Sequence, residues 1–528
     1  MNKFSKTVLF ILLFVAWVAM SMQRNAPSGR KATRIYEEYA DSTVFERFNN
    51  PDIHILRGNV VFRHDSTYMY CDSAYYYQAT NSLEAFSNVR IEQGDTLFIY
   101  GDYMMYDGNE SMAKMRDNVR MVNNSLTLFT DNFNFDRIRN IGYFFSGGML
   151  VDSLNELTSV YGQYSPGTKI ATFKEDVHLE NPQFLLTTDT LLYHTVTKIA
   201  SIVSPTVITS DSGVIYSNRG RYNTVSDEAI LLNRSIVFNK ERTQTMTADS
   251  LFYNRQTGFG EAFRHMELND TDKKILLTGN YGYFDQKTQF AFATDSAQMI
   301  EYSQQDSLFL HADTLQMQTI DAEKELKAFH NVRFYRTDLQ GVCDSMRFHT
   351  RDSILYLYEN PILWNTDYQL TGDTIHILFN DSTVERIKVL KYAFALQETD
   401  SSYYNQLKGK NLYAYFTAGE LNKIDIEGNA ESIYYPIEEG GTSLIGQNRT
   451  QSSFMAITIK NRKPTRIVWR PQPQGELLPI PDLTPEKKYL QDFVDYQYLR
   501  PKDRLDIFTK TMRKTEDIPA QHRQRRKR

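Results

Sequence analysis

The sequence has few cysteines, prolines and tryptophans, with 2 Cys, 15 Pro and 3 Trp in 528 residues. Two cysteines exclude a disulfide scaffold and a zinc ribbon. A net charge of −5 gives no electrostatic basis for nucleic-acid binding. The sequence contains no G-x-S-x-G, no P-loop, no dinucleotide fingerprint and no metal-binding histidine spacing. We therefore expect no enzyme activity, no catalytic residue, no metal site, no cofactor and no nucleic-acid partner.

Tyrosine and phenylalanine, in contrast, are abundant, with 34 Tyr and 32 Phe. Aromatic residues favour β-strands, and the accompanying Asp, Asn and Ser favour turns. The apolar fraction of 41% excludes a disordered chain. A chain of this composition and length contains either several domains or one long series of repeats.

The N-terminus resembles an export signal. Lys3 and Lys6 precede the apolar run Val8–Met20, which has the proportions of a secretory signal and is short for a spanning helix. Residues 1–22 are therefore predicted to be either a cleaved signal peptide or an N-terminal anchor. Both alternatives place the remaining chain outside the cytoplasm.

A repeat of about 30 residues dominates the rest of the chain. An Asp or Asn recurs every 29 to 33 residues, with Val160 occupying the one position in phase that lacks it. The side chains alternate faces along a strand, and the inward phase slips by one residue at this position. We predict that each such residue forms a corner and caps backbone amides. The predicted corner residues are Asp72, Asp102, Asp131, Asp189, Asn218, Asp249, Asn280, Asp313, Asp344 and Asp373.

Apolar residues occupy fixed positions on both sides of each corner, most often three residues before it and two and four residues after it. Ten of the twelve residues at the last position are aromatic. These columns predict one continuous apolar interior. The inward residues that we single out as candidate lipid contacts are Leu128, Phe133, Leu186, Leu191, Tyr193, Met246, Leu251, Tyr253, Leu277, Phe284, Leu310 and Leu315.

The predicted fold is an all-β, elongated, open β-jellyroll or solenoid-like stack of about twelve repeats of ~30 residues. Each repeat is expected to rise by ~4.8 Å, the spacing of one strand. Cys71 and Cys343 occupy the same small-residue column nine repeats apart. A disulfide needs Cα atoms within about 7 Å, so these cysteines are not expected to pair.

The run Gly58–Phe62 followed by Tyr68–Tyr76 resembles the OstA-like repeat. This repeat is found in periplasmic lipopolysaccharide-transport bridge proteins and in the N-terminal β-jellyroll domain of the outer-membrane lipopolysaccharide-assembly protein. The segments Asn88–Tyr106, Asn118–Phe135 and Asn331–Phe348 follow the same pattern, and the resemblance covers most of residues 50–380. The outer-membrane member adds a long barrel, for which the ~68 residues after residue 460 are too few. The chain thus resembles an expanded repeat version without that barrel.

The resemblance implies two sheets that form a V-shaped, apolar trough in which lipopolysaccharide acyl chains are shielded. It implies an exported scaffold for lipopolysaccharide transport and outer-membrane assembly. The implied partners are lipopolysaccharide or its lipid moiety, and other transport proteins that associate edge to edge. The implied location is the periplasm, with tethering to the inner membrane or association with the outer membrane. The residues alone leave an alternative, an exported structural or adhesive β-solenoid with a closed core.

The resulting domain prediction has four parts. Residues 1–22 are the signal or anchor, 35–380 the OstA-like repeats, 381–460 degenerate or capping repeats, and 461–528 a Pro-rich segment with a short helix and a basic tail. The helix is predicted over Pro485–Tyr498, with Thr484 as its cap. The basic tail is either solvated or in contact with a membrane surface.

Overall fold

The computed structural model describes residues 33–46, 50–303, 305–320, 323–366, 368–380, 383–400, 402–438 and 443–514. The predicted signal or anchor and the basic tail lie outside these residues. Within them the chain is almost entirely β-strand, which confirms the all-β class. The helices of the described part are short 3-10 turns, at Ile480–Asp482, Pro485–Lys488, Gln497–Leu499 and Asp506–Phe508.

The first nineteen strands are β1 (Tyr36–Tyr39), β2 (Ser42–Glu46), β3 (Asn50–His64), β4 (Thr67–Tyr77), β5 (Ser82–Gln93), β6 (Leu97–Asp107), β7 (Met112–Asn123), β8 (Leu126–Asp136), β9 (Ile141–Phe144), β10 (Gly148–Asp152), β11 (Asn155–Ser159), β12 (Tyr161–Ser165), β13 (Ile170–Asn181), β14 (Phe184–His194), β15 (Ile199–Ile202), β16 (Thr206–Ser210), β17 (Gly213–Ser217), β18 (Arg219–Asn223) and β19 (Glu228–Asn239). The remaining strands are β20 (Gln244–Asn254), β21 (Phe259–Asp270), β22 (Ile275–Asp285), β23 (Phe290–Thr294), β24 (Gln298–Glu301), β25 (Leu308–His311), β26 (Thr314–Ile320), β27 (Glu323–Arg336), β28 (Leu339–His349), β29 (Ile354–Tyr358), β30 (Ile362–Asn365), β31 (Tyr368–Thr371), β32 (Thr374–Asn380), β33 (Thr383–Asp400), β34 (Tyr403–Thr417), β35 (Glu420–Tyr434), β36 (Gln447–Lys460), β37 (Lys463–Arg470) and β38 (Gln474–Leu478).

The chain divides into two compact units. Unit 1 comprises Met1–Pro182 and Asp189–Val196, and unit 2 comprises Gln183–Thr188 and Thr197–Arg528. In unit 1, β3 to β8 form an antiparallel meander in which each long strand pairs with the next. In unit 2, β19 to β22 and β33 to β36 do the same.

Each long strand is interrupted near its middle, where the pairing register shifts. Between β4 and β5 the shift falls between Tyr70 and Ser73, so that Cys71 and Asp72 lie opposite three residues of β5. Similar shifts enclose Asp102 and Asp249. The half of each strand that precedes its acidic residue, together with the strand halves that pair with it, belongs to what we call the first arm. The half that follows the acidic residue, together with the strand halves that pair with it, belongs to the second arm. The arms face each other, as the ring contact of 5.7 Å between Phe62 and Tyr76 shows.

The neighbouring strand turns the corner with a pair of left-handed residues, such as Ser87 and Asn88 with φ of 61° and 50°. Asn tolerates this conformation better than most residues, which explains the Asn of the Asn-Val signature. The Asn88 side-chain amide donates to Asp72 at 2.7 Å, and Asn331 does the same to Asp313. The acidic residues were expected to cap backbone amides, and these contacts are instead with a side-chain amide.

One expectation about the repeat was wrong, namely the rise of one strand spacing per repeat. Tyr106 pairs with Ala113, which in turn pairs with Phe135, the next residue of the aromatic column. Each repeat thus contributes two antiparallel strands to each arm. The rise per repeat is therefore ~9.6 Å, twice the strand spacing.

Strand pairing continues through the C-terminal part of unit 2. Residues 381–460, which were expected to be degenerate or capping, include the long strands β33 to β36. The predicted Pro-rich segment after residue 461 begins with two further strands, β37 and β38, which both pair with β36. Pro464 has no backbone N–H to donate. It is tolerated because β37 pairs with only one named strand, and an edge strand does not need every backbone N–H for pairing.

Candidate functional site

The interior between the arms contains most of the predicted inward residues. Of the twelve, nine are buried, and Leu186, Leu191 and Tyr193 are fully so. Met246, Tyr253 and Phe284 are only partly buried. The ten predicted corner residues are all exposed or partly exposed. The interior is therefore apolar and its corners are polar, but its shielding from solvent changes along unit 2.

The aromatic column lies at the mouth of the interior, where the free ends of the two arms approach each other. In unit 1, the tyrosine hydroxyls of this column reach the opposite arm. Tyr76 donates to the carbonyl oxygen of Ile35 at 3.0 Å. Tyr106 shares a hydrogen bond of 2.6 Å with Nδ1 of His64. These bonds bridge the mouth.

The bridge at His64 has further polar support. Arg137, which follows the second arm, donates to the carbonyl oxygen of His64 at 2.5 Å and pairs with Asp65. Burial, with Arg137 nearby, lowers the pKa of His64, and burial raises the pKa of Tyr106 to about 12. Both groups are therefore neutral at pH 7, which suits a bond at the edge of an apolar interior.

A second bridge closes the mouth further along unit 1. The hydroxyl of Tyr193 donates to Asp152 at 2.7 Å and accepts from Asn155 at 2.9 Å. All three residues are buried. A buried carboxylate with two polar partners is satisfied in place, so this bridge excludes water from the mouth. The interior of unit 1 is thus closed along these repeats.

In unit 2, the residue types of the aromatic column change. The Tyr222 ring packs against Phe184 of the first arm at 4.7 Å, and its hydroxyl donates to Asp227 at 2.8 Å. The next three members of the column are Phe284, Met317 and Phe348, which have no hydroxyl. These three side chains are partly exposed, whereas Tyr76, Tyr106, Phe135, Tyr164, Tyr193 and Tyr222 are at most 3% exposed. Phe135 is shielded without a hydroxyl and Tyr253 is partly exposed with one, so the loss of shielding in these repeats is not caused by the missing oxygen alone.

The facing column of the first arm changes at the same repeats. Five residues before the corner, Leu97 and Leu126 of unit 1 are buried, whereas Ile275, Leu308 and Leu339 of unit 2 are partly exposed. We call the partly exposed stretch the mouth window. It consists of Tyr253, Phe284, Met317 and Phe348 on the second arm and of Ile275, Leu308 and Leu339 on the first arm.

Two lysines lie at the rim of the mouth window. Lys273 follows β21 on the first arm and pairs with Asp270 at 2.9 Å. Lys324 lies at the start of β27 on the second arm. Burial and the nearby Lys273 ammonium lower the pKa of Lys324. The rim of the mouth window therefore holds two amines and two carboxylates, those of Asp270 and Asp272.

The outer face of the first arm in unit 2 is covered by residues 479–514, which we call the C-terminal segment. Gln406 and Gln369, both buried, bind its backbone in pairs of hydrogen bonds. Gln406 donates to the carbonyl oxygen of Lys488 and accepts from the amide of Leu490, each at 2.8 Å. Gln369 binds Val494 and Tyr496 in the same way at 2.9 and 2.8 Å.

This arrangement corrects the predicted helix over Pro485–Tyr498. Only short 3-10 turns form there, at Pro485–Lys488 and Gln497–Leu499, and Thr484 makes no side-chain cap. The glutamine side chains take the backbone groups that a helix would have paired within itself. The apolar residues of the segment pack instead against the sheet, with Leu490 joining Phe394 and Ile433.

The sequence analysis missed the mouth window, although the signal was present. Phe284, Met317 and Phe348 are visible in the column, but Phe135 of the same column also lacks a hydroxyl and is buried. Their exposure depends on how the opposite arm packs, which becomes clear only from the structure. No helix in the described residues is long and apolar enough to cross a membrane. Over the same residues, no three His, Cys, Asp or Glu side chains group as metal ligands.

Residues 32–189 match the family described as OstA-like protein. No curated protein matches the chain. Among solved structures, the chain is similar to LptH from Pseudomonas aeruginosa, described as the LptA-homologous periplasmic component of the lipopolysaccharide transport device. The identity is 13% and the TM-score 0.21, over 26% of this chain and 93% of LptH. The family match covers the N-terminal part of the predicted repeats, and the segment 32–189 is an OstA-like region.

Proposed function

We propose that the chain is a carrier for a lipid of the lipopolysaccharide class and holds the acyl chains between its arms. The observation that supports this most directly is the mouth window, where an apolar interior is accessible from outside. Proteins rarely leave a contiguous apolar surface exposed unless it contacts an apolar partner. The OstA-like resemblance supplies the lipid class.

The energetics favour acyl chains as the ligand. Each buried methylene contributes about 0.8 kcal/mol, so an acyl chain gains several kcal/mol on entering an apolar interior. Partly exposed side chains such as Met317 and Phe348 would lose their own contact with water at the same time. Methionine is unbranched and adapts to irregular ligands, which suits a chain-binding surface. The interior is thus suited to hold lipid without any catalytic group.

The proposal includes a location and a set of partners. The apolar run Val8–Met20 directs the chain to the periplasm, either released or tethered to a membrane. The partners are lipopolysaccharide or its lipid moiety and other transport proteins, joined at free sheet edges. β1 and β2 in unit 1 and β37 and β38 in unit 2 are short strands at which such edges occur.

The test is photo-crosslinking at two adjacent residues of β22. A photoreactive phenylalanine analogue replaces Phe284, which lies in the interior column, or Tyr283, which lies on the outer face. Both positions are partly exposed aromatics, so the pair differs mainly in the face presented. Expression in cells that make lipopolysaccharide should give a lipid adduct at position 284 and much less at 283. Equal labelling at both positions would contradict the proposal.

A second candidate function is an exported structural or adhesive β-solenoid. The bridged mouth of unit 1 favours it, because Tyr106 and Tyr193 close an interior that is already filled. This candidate predicts protein on the cell exterior and no lipid adduct at Phe284. The crosslinking experiment and surface labelling of intact cells therefore distinguish the two.

A further inference from the structure

The outer face of the second arm carries a contiguous aromatic surface on β20 to β23. Seven rings on outward positions of these strands contact one another, with ring centroids 4.4 to 6.5 Å apart. Phe263 is 41% exposed and the other six are partly exposed. We call this surface the aromatic face, and its rings are those of Phe252, Phe259, Phe263, Tyr281, Tyr283, Phe290 and Phe292.

The aromatic face is not explained by the stability of the fold. On β21 and β23 the inward, buried positions hold small residues, Gly260, Ala262, Ala291 and Ala293. Burial of apolar side chains drives folding, so a strand selected only for stability would place its rings inside. The corresponding outward positions of β7 and β8 are polar, with Lys114, Arg116, Asn132 and Asn134. A contiguous apolar surface left outside in this way indicates a partner.

The charges of the aromatic face favour a cationic partner. Its four strands have twelve outward positions, of which two are acidic, Glu261 and Asp285, and none is basic. Glu261 lies between Phe252 and Tyr283 in one cross-strand row. The faces of aromatic rings are also electronegative and attract Lys and Arg.

The C-terminal segment passes the edge of this surface. The Lys510 ammonium lies 3.5 Å from the carboxylate of Asp313. The carbonyl oxygen of Asp313 accepts a hydrogen bond of 2.8 Å from Thr294, the last outward residue of β23. The described chain ends one residue after Arg513, which donates to the carbonyl oxygen of Asn360 at 2.8 Å.

The rest of the chain is long enough to reach the aromatic face. A row of paired residues leads from Tyr358, two residues before Asn360, through Ser345, Phe329 and Thr314 to Thr294. These four strand steps cover ~19 Å, and three more steps across the face to β20 add ~14 Å. At up to ~3.3 Å per residue, residue 523 can lie ~30 Å and residue 528 ~46 Å from Lys514. Residues 523–528 include five cations, Arg523, Arg525, Arg526, Lys527 and Arg528.

We propose that the basic end of the chain, residues 523–528, docks on the aromatic face of unit 2. The described chain already uses this type of contact, since the Arg513 guanidinium lies 4.8 Å from the ring centroid of Tyr496. A second copy of the chain fits less well. Seven rings that each expose a third of about 200 Å² offer roughly 500 Å², below the ~800 Å² per partner of a stable complex. The docking is independent of the proposed lipid-carrier function.

The test is a photoreactive phenylalanine analogue at position 292 of the full chain. Cleavage after Glu516 then releases residues 517–528, and mass spectrometry shows whether they are joined to the aromatic face. The matched control is the same analogue at Tyr356, a partly exposed outward aromatic of β29 whose cross-strand neighbours, Arg347 and His376, are basic. Tyr356 is closer to Asn360 along the row, so an undocked tail would label it at least as well. Docking predicts at least about fivefold more tail adduct at position 292.

Replacement of Arg525, Arg526 and Arg528 by Gln should lower the adduct at position 292 at least about fivefold and leave the yield at position 356 unchanged. Equal yields at the two positions, or a yield at 292 that ignores the Gln substitutions, would overturn the proposal. An adduct at 292 that joins two chains would assign the face to a second copy instead, and an adduct with lipid would assign it to an amphiphile. None of these outcomes alters the crosslink at Phe284, which tests the lipid-carrier function separately.

Discussion

Removal of the Gln406 side chain should release the C-terminal segment from unit 2. Gln406 is fully buried and binds the Lys488 carbonyl and the Leu490 amide, each at 2.8 Å. The variant Gln406→Ala leaves both backbone groups without their partner. Each unsatisfied group costs about 1–3 kcal/mol, so docking of the segment should weaken by about 3 kcal/mol.

Hydrogen exchange of the Tyr496 amide measures this release. That amide is bound by Gln369, which the substitution leaves in place, so its protection reports the whole segment rather than the mutated contact. A loss of about 3 kcal/mol corresponds to exchange that is about a hundredfold faster. The control Gln491→Ala lies in the same segment, with its side chain exposed, and should leave exchange unchanged.

Two results would refute this reasoning. Faster exchange at Leu490 with no change at Tyr496 would show that the segment does not open as one unit. An equal effect of Gln491→Ala would show that the segment responds to any change in composition. A thermal midpoint would be less informative, because chains built of repeats often unfold in several steps.

Three further predictions concern the mouth. With both native cysteines replaced, Met317→Cys should react with a water-soluble maleimide at least about tenfold faster than Phe135→Cys of the same column, because only the former is partly exposed; equal rates would disprove the mouth window. Tyr106→Phe should destabilise unit 1 by about 1–3 kcal/mol in denaturant titrations, because Nδ1 of buried His64 loses its hydrogen-bond partner. The pKa of His64 is lowered on folding, so the unfolded chain binds more protons below pH 6.5 and stability should fall there; His64→Gln should flatten the dependence of the melting temperature between pH 7 and 5.

The apolar columns could be predicted from the sequence because a period-two pattern directly gives the buried face of a strand. Leu191 and Leu315 are buried as that pattern requires. The number of strands per repeat was harder to predict. Small residues such as Ala113 and Gly142 occupy the second strand of each repeat, and they give only a weak hydrophobic pattern. Their size is explained by the structure: a Cβ on Gly142 would lie 2.3 Å from the ring of Phe133.

The C-terminal segment could not be predicted, because its contacts are with the sheet and not with itself. Leu490 and Phe493 have helical spacing, and this pattern favoured a helix. Gln406 and Gln369, far away in the sequence, compete for the same backbone groups and prevail because they are buried and preorganised. Tertiary contacts of this kind override local preference, and nothing in residues 485–498 alone indicates them.

The residues that match the family and the residues of the mouth window do not overlap. The OstA-like match covers residues 32–189, which include the bridges at Tyr106 and Tyr193. The mouth window begins at Tyr253, in unit 2 and beyond that match. The same column serves both regions, and the exposure of its side chains separates them. A repeat protein can therefore keep its fold while the shielding of its interior changes, because the fold depends on the apolar column and the shielding depends on what packs across the mouth. Hydrogen bonds close the mouth at Tyr106 and Tyr193, and packing alone shields Phe135.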